Sequence, residues 1–325
     1  MTPPQLALVL NDAETIDAVA RVMSAASSGL ELQVGTELRP TLERVSPTAL
    51  QLLVVDEHHF MAAVDAVEDG YPNARVVGIV EPIDDAMLAS ALRLPRMVGF
   101  LGRTDHGPRP WELAYVVRRT VAPQQPIPGA HELLNWGAST VTFRPRTTRD
   151  RDQAVQAVEL VATRFGMSRR ASAMAADASH ELLMNAMYDA PIDPTGRPKY
   201  AADRQAQISL AENEVPTLRL TVDGSHLALD ISDPFGRLPR AKVFGGLLRG
   251  RTGVIAPTAS AVLDVSHGGA GLGMFNLFNS AAILRIEVIP GRQTLVSWIL
   301  DRTVSHRTQR SQSRSLYFIE GRPNP

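Results

Sequence analysis

Four short apolar runs, LALVL (6–10), LQLLVVD (50–56), ARVVGIV (74–80) and MVGFLG (97–102), constrain the fold of this chain more than any other feature. Each is nearly continuous rather than alternating, and rich in branched residues. That is the pattern of a strand covered on both faces in a parallel sheet. Between them DAETIDAVARVMSAA, FMAAVDAVEDG and DDAMLASALRL have helical periodicity, PWELAYVVRRTVA closes the series, and ELQVG near Leu30 adds a short strand. Strands and helices in this alternation predict a doubly wound α/β domain with five parallel strands over residues 1–121.

The order of elements changes in the second half. VAPQQPIPGAHELL, from Val121, concentrates proline and glycine and predicts a linker over residues 122–136. Beyond it come a strand at STVTFRP, a helix from about Asp152 to Phe165, a second helix, and two hairpins. The first hairpin joins TLRLTV to LALDI through Asp223-Gly224, and the second joins ILRIEVIP to TLVSWIL around Gly291. Hairpins with helices on one face predict a two-layer α+β sandwich over residues 137–301. Residues 302–325 read as a basic, flexible tail, with SLYFI inside it either an edge strand or a partner contact.

Three stretches of this second half carry chemistry: HELLMNAMYDA (His180 to Ala190), DPFG (Asp233 to Gly236) and GGAGLG (Gly268 to Gly273). Leu182, Leu183, Ala186 and Met187 recur at helical spacing, so Glu181, Asn185 and Asp189 are expected at i, i+4 and i+8 on one helix face. The Asn185 amide oxygen is a hard ligand suited to magnesium, and Glu181 is placed to deprotonate a hydroxyl or water. The glycines precede MFNLF and are expected to open a helix whose N–H groups cradle phosphate. Asp233 ends LALDIS and is a candidate acceptor for an adenine amino group.

In order and spacing these stretches resemble the three sequence boxes of the Bergerat-fold (GHKL) ATPases, which include histidine kinases, gyrase and the anti-sigma-factor serine kinases. The resemblance implies Mg2+ and ATP as cofactors and a sandwich of Bergerat type. It implies Glu181 as catalytic base, Asn185 as magnesium ligand, and Asp189, Asp233, Gly236, Gly269, Gly271, Leu272 and Gly273 as nucleotide contacts. Residues 237–267, with Arg249 and Arg251, would form the nucleotide lid. The missing helical hairpin upstream favours the serine-kinase branch.

Residues 1–121 resemble a response-regulator receiver domain, a flavodoxin-like fold. Asn11 and Asp12 end the first strand where receivers carry an acidic pair, and Asp56, with Asp12, is the candidate phosphoacceptor site. Val80 stands in place of the receiver hydroxyl and Arg103 near the expected lysine. With one member of the acidic pair amidated, Asn11, and the hydroxyl absent at Val80, a pseudo-receiver used for docking or for a homodimer is favoured.

The chain has no cysteine, so disulfides and thiolate chemistry are excluded. A formal net charge of -1 gives no reason to expect nucleic acid. No apolar run reaches membrane-spanning length, and the start lacks a signal-peptide pattern, so a cytoplasmic protein is expected. HELLM lacks the second histidine of a zinc-protease helix, with Met184 in its place, and HELLN at His131 offers only Asn135. The functional expectation is a signal-transduction protein that binds Mg-ATP and phosphorylates a partner protein on serine or threonine. Two alternatives stand beside it: a non-catalytic scaffold acting by binding, and a histidine kinase served in trans by a separate phosphoacceptor.

Overall fold

The computed structural model describes residues 3–104, 107–122, 126–135, 137–252, 272–304 and 312–321. The chain divides into two compact units, residues 1–126 with 311–319, and residues 127–310 with 320–325. Among the described residues no helix is long and apolar enough to cross a membrane.

The first unit contains β1 (Gln5–Val9), α1 (Ala13–Ala26), β2 (Glu31–Gly35), α2 (Leu38–Leu42), β3 (Leu50–Asp56), α3 (Phe60–Gly70), β4 (Arg75–Val80), α4 (Asp85–Arg93), β5 (Met97–Thr104), β6 (Gly107–Pro108) and α5 (Pro110–Val121). Five strands run parallel in the order β2-β1-β3-β4-β5, the order of flavodoxin-like sheets. Nearly every residue of β1, β3 and β4 is buried, which is why their sequences show no alternation. Helix α1 packs with α5, and α3 with α4, as right-handed crossovers on both faces of a sheet require. Asp12 caps α1 through the Glu14 amide, and Asp84 caps α4 through the Met87 amide at 2.7 Å. Helix α2 and the two-residue β6 are too short for any periodicity to announce them.

The second unit contains β7 (Ser139–Phe143), α6 (Thr148–Arg164), α7 (Arg169–Met184), β8 (Thr217–Val222), β9 (His226–Asp233), α8 (Arg240–Thr252), α9 (Leu272–Ser280), β10 (Ile283–Ile289) and β11 (Gln293–Asp301). Its strands are antiparallel in the order β10-β11-β9-β8-β7. Helix α7 packs on α6 and β9, α9 packs on β10 and β11, and α8 packs on α9. A Cβ at Gly250 would lie 2.3 Å from the Phe275 ring, so the α8–α9 contact requires glycine there. The expected lid is thus helical over residues 240–252, and residues 253–267 lie outside those described.

Two expectations about the connecting segments need correction. Part of the proposed linker is packed structure of the second unit. The Ala130 amide donates to Asp230 Oδ2 at 2.5 Å, Arg285 Nη2 donates to the Pro128 carbonyl at 2.7 Å, and the Asn135 amide donates to Asp223 Oδ2 at 2.8 Å. These partners lie on β9, on β10 and at the β8–β9 turn, so proline content alone misreported the segment as free.

The flexible tail is corrected over residues 315–320, where the edge-strand alternative for SLYFI is the one observed: β12 (Ser315–Glu320) pairs antiparallel with β5, Leu316 opposite Phe100 and Tyr317 opposite Gly99. Without it β5 would present an unpaired edge. Gly99, at φ +148, and Gly102 make the pairing feasible: a Cβ would lie 2.2 Å from the Leu316 carbonyl oxygen in one case and 2.5 Å from that of Ser313 in the other. Residues 305–311 and 322–325 lie outside those described.

The Gly102 amide donates to Ser315 Oγ at 2.8 Å, and the Ser315 hydroxyl also meets Glu112, which is fully buried. Burial pushes the Glu112 carboxyl up to about 7, against the opposing pull of Arg109, whose Nη1 is 3.5 Å away. A raised carboxyl pKa adds stability below its unfolded value and loses it as pH rises through the folded value. The protein is therefore expected to lose stability between pH 4.5 and about 7. Glu112→Gln is expected to flatten this slope and to be the more stable form at pH 8 by up to about 3 kcal/mol, measured by urea denaturation across pH.

Candidate functional site

Helix α7 starts at Ser168, whose hydroxyl accepts the Ala171 amide, and runs to Met184. Beyond it the backbone widens. Residues Asn185–Asp189 form a π-helical turn, and the Ala190 amide donates to the Asn185 carbonyl at 3.0 Å. The single α-helical face expected for Glu181, Asn185 and Asp189 is corrected by this turn. Such widened turns are rare and often occur at functional sites. Here the turn directs Tyr188 inward, where its hydroxyl donates to the Ala206 carbonyl at 2.9 Å and lies 3.2 Å from Thr148 Oγ1.

Asn185 and Asp189 line a cavity of about 100 Å³ together with Asp233, Lys242 and Thr294. Ile231, Val296, Leu182 and Met274 supply apolar walls. Antiparallel register sets Thr294 of β11 opposite Asp233 of β9. The Asp233 carboxyl is almost fully buried, which pushes it up to about 6, while the Phe235 and Gly236 amides and the Thr294 hydroxyl pull it down. The Phe235 amide is 2.9 Å from Oδ1. Gly236, at φ +60, closes the turn against the end of β10, where a Cβ would lie 2.0 Å from the Ile289 carbonyl oxygen. Its glycine is thus accounted for by packing.

Two cations that the sequence motifs did not point to pair with the wall residues Asn185 and Asp189; Lys242 lines the cavity and Arg204 does not. Arg204 Nη2 donates to Asn185 Oδ1 at 3.1 Å and to Asp189 Oδ2 at 3.2 Å, and Lys242 Nζ donates to Asp189 Oδ2 at 2.6 Å. Arg204 is held there because its segment is anchored: the Ile208 amide donates to Thr148 Oγ1 at 2.9 Å, beside the Tyr188–Ala206 bond. Nothing local marks either residue, since their partners are 15 and 53 positions away in sequence.

Magnesium was expected at Asn185, and the donor set does not fit it. The amide oxygen is already held by a guanidinium, and a divalent ion there would face the positive charges of Arg204 and Lys242. Among the described residues no group of three or more His, Cys, Asp and Glu is arranged to hold a metal ion.

Glu181 stands one turn earlier on α7 and is not part of the cavity lining. Its carboxylate lies against the first turn of α9, where a Cβ at Gly273 would be 1.9 Å from Oε1. Leu272 begins α9, while Gly269 and Gly271 lie outside the described residues. Arg249 and Arg251 are on α8 and do not line the cavity, and His180 is exposed.

In the first unit Asp56 is buried at the end of β3 with both oxygens engaged. Oδ2 accepts the Asn11 amide at 2.6 Å, while Oδ1 accepts the His59 amide at 3.1 Å and lies 2.7 Å from His59 Nδ1. Asp12 serves as the α1 cap: the Thr15 hydroxyl, the Glu14 amide and Arg103 hold its carboxyl below the usual range. Arg103 bridges Asp12 and Glu57, at 3.5 Å from each, and Val80 is buried. The two acids the sequence grouped thus have separate structural duties.

No protein-family model and no curated protein matches the chain. A response regulator from Thermotoga maritima, known from a crystal structure, is similar over 37% of this chain and 98% of its own, with 15% identity and a TM-score of 0.30.

The contact between Glu181 and Gly273 is open to direct measurement. Replacing a helical glycine by alanine ordinarily stabilises a protein by about 1 kcal/mol. Gly273→Ala is expected to show none of that gain, because the Glu181 side chain must move aside, and to recover it in a Glu181→Ala background. A double-mutant cycle should return a coupling of at least about 1 kcal/mol.

Proposed function

We propose that the second unit binds an adenine nucleotide in the cavity between α7 and β9, and that the chain is a signalling protein controlled by that binding. The observation that carries this reading is Asp233, a buried carboxyl with a strongly shifted pKa at the cavity wall, paired in register with Thr294. Buried acids perturbed in this way concentrate at functional sites. An ionised Asp233 accepts a hydrogen bond from the exocyclic amino group of adenine, and the Thr294 hydroxyl beside it can donate or accept.

The reaction that belongs with this reading is transfer of the γ-phosphoryl group of ATP to a serine or threonine hydroxyl of a partner protein. The hydroxyl oxygen forms the new bond to phosphorus, its proton passes to Glu181, and ADP leaves. Catalysis of this kind is mainly positioning and charge neutralisation. Glu181 stands next to Gly273 and outside the cavity lining, so an incoming hydroxyl would approach from the side of α9. The first unit serves as the docking module, on its own or as a dimer.

A second reading, regulation by binding without phosphoryl transfer, is favoured by two observations. Asp189 is already paired with two cations, and the Asp56 carboxylate has no oxygen free of a partner. Incubation with labelled ATP and co-purified partners separates the two: a phosphorylated partner excludes the binding-only reading.

The nucleotide site is tested by calorimetric titration with a non-hydrolysable ATP analogue. Because the ionised form of Asp233 accepts the adenine donor, affinity is expected to fall about tenfold between pH 7.5 and pH 5. Asp233→Asn should bind more weakly at pH 7.5 and lose that pH dependence. Equal affinity of wild type and variant at both values would remove Asp233 from the site.

A further inference from the structure

Asp189 of the cavity wall is paired with two cations on different segments, Lys242 at 2.6 Å, which lines the cavity, and Arg204 at 3.2 Å, which stands behind Asn185 and Asp189 and is not part of the lining. Arg237 lines the same cavity. Two like charges this close to one carboxylate repel each other, and one acid does not neutralise both. The arrangement leaves an excess of positive charge beside Asp189. Arg204 is also incompletely used: its Nη2 is shared between Asn185 and Asp189, and its Nε is buried without a hydrogen-bond partner. Lys242 has a side chain 44% exposed, so its ammonium group can turn toward a ligand.

A planar guanidinium with an unused N–H suits two oxygens of one phosphate, and a lysine adds a point charge. We infer that Arg204 and Lys242 bind the phosphates of the nucleotide directly and that the site works without a divalent cation. The inference rests on the adenine-nucleotide reading and deepens it, assigning to two protein cations the neutralising role that the sequence assigned to magnesium on Asn185. Asp189 is then a positioning residue that holds the two cations together before the phosphates arrive, and the Asn185 amide oxygen orients Arg204. The anchor of the Arg204 segment, through Tyr188 and Thr148, keeps the guanidinium preorganised.

The experiment is calorimetry on the full chain with adenosine, a non-hydrolysable ATP analogue and inorganic tripolyphosphate, each in EDTA and in excess magnesium. In EDTA the analogue is expected to bind at least about tenfold more tightly than adenosine, with magnesium adding little. Lys242→Ala and Arg204→Ala should each weaken the analogue by about tenfold to a hundredfold and leave adenosine unchanged. Lys242 is at the surface, so its variant tests the inference even if Arg204→Ala does not fold.

Adenosine binding combined with an analogue that needs magnesium, or that binds both variants as wild type, overturns the inference and leaves the adenine site standing. Tripolyphosphate binding in EDTA that both variants lose, without any adenosine binding, upholds the cationic site and removes the adenine reading. Failure of both phosphate probes in EDTA overturns the inference outright.

Discussion

Strand β9 buries two carboxylates three residues apart, and the second unit is built around how each is satisfied. The pleat of a strand sends residues of opposite parity to opposite faces, so Asp230 and Asp233 cannot share partners. Asp230 takes the Ser297 hydroxyl and the Ala130 amide, each at 2.5 Å, and Arg285 closes the network through Ser297 and the Pro128 carbonyl. That network draws the segment after Pro126 onto the sheet. Asp233 faces a cavity, and burial outweighs the Phe235 and Gly236 amides and the Thr294 hydroxyl that oppose it, so its carboxyl is pushed up to about 6. A buried carboxylate whose desolvation exceeds what its donors return is costly to a folded protein. A ligand with an amino group would relieve that cost.

The same rule of satisfaction decides the first unit. Asp56 lies at the strand end where the topology offers a site, yet Asn11 and His59 engage both of its oxygens. Edge strand β5 is completed by β12, which the chain delivers from 213 residues further on, counted from Gly102 to Ser315. Gly99 and Gly102 are the imprint of that delivery, since any side chain there would meet the β12 segment backbone.

Widening of the helix at residues 185–189 links packing to the site. It buries Tyr188, whose hydroxyl anchors the segment carrying Arg204, and it leaves Asn185 and Asp189 on the cavity wall. A motif expected to gather a metal thus gathers a guanidinium and an ammonium group instead. The residue types are those of the resemblance, while the charge balance around them is set by Arg204 and Lys242, which belong to no box.

The sequence by itself determined the alternation of strands and helices in the first unit, the two hairpins of the second, and the placing of Asn185, Asp189 and Asp233 in one site. Hydrophobic period, turn residues and motif order are local quantities, so they survive in one dimension. Tertiary structure alone decided that Thr294 faces Asp233, that Arg204 and Lys242 close on Asp189, that Glu181 turns toward Gly273, and that residues 315–320 complete the β5 edge. Each of these depends on strand register or on a contact between segments far apart in sequence. No periodicity records such a pairing, because the partner exists only once the intervening chain has folded.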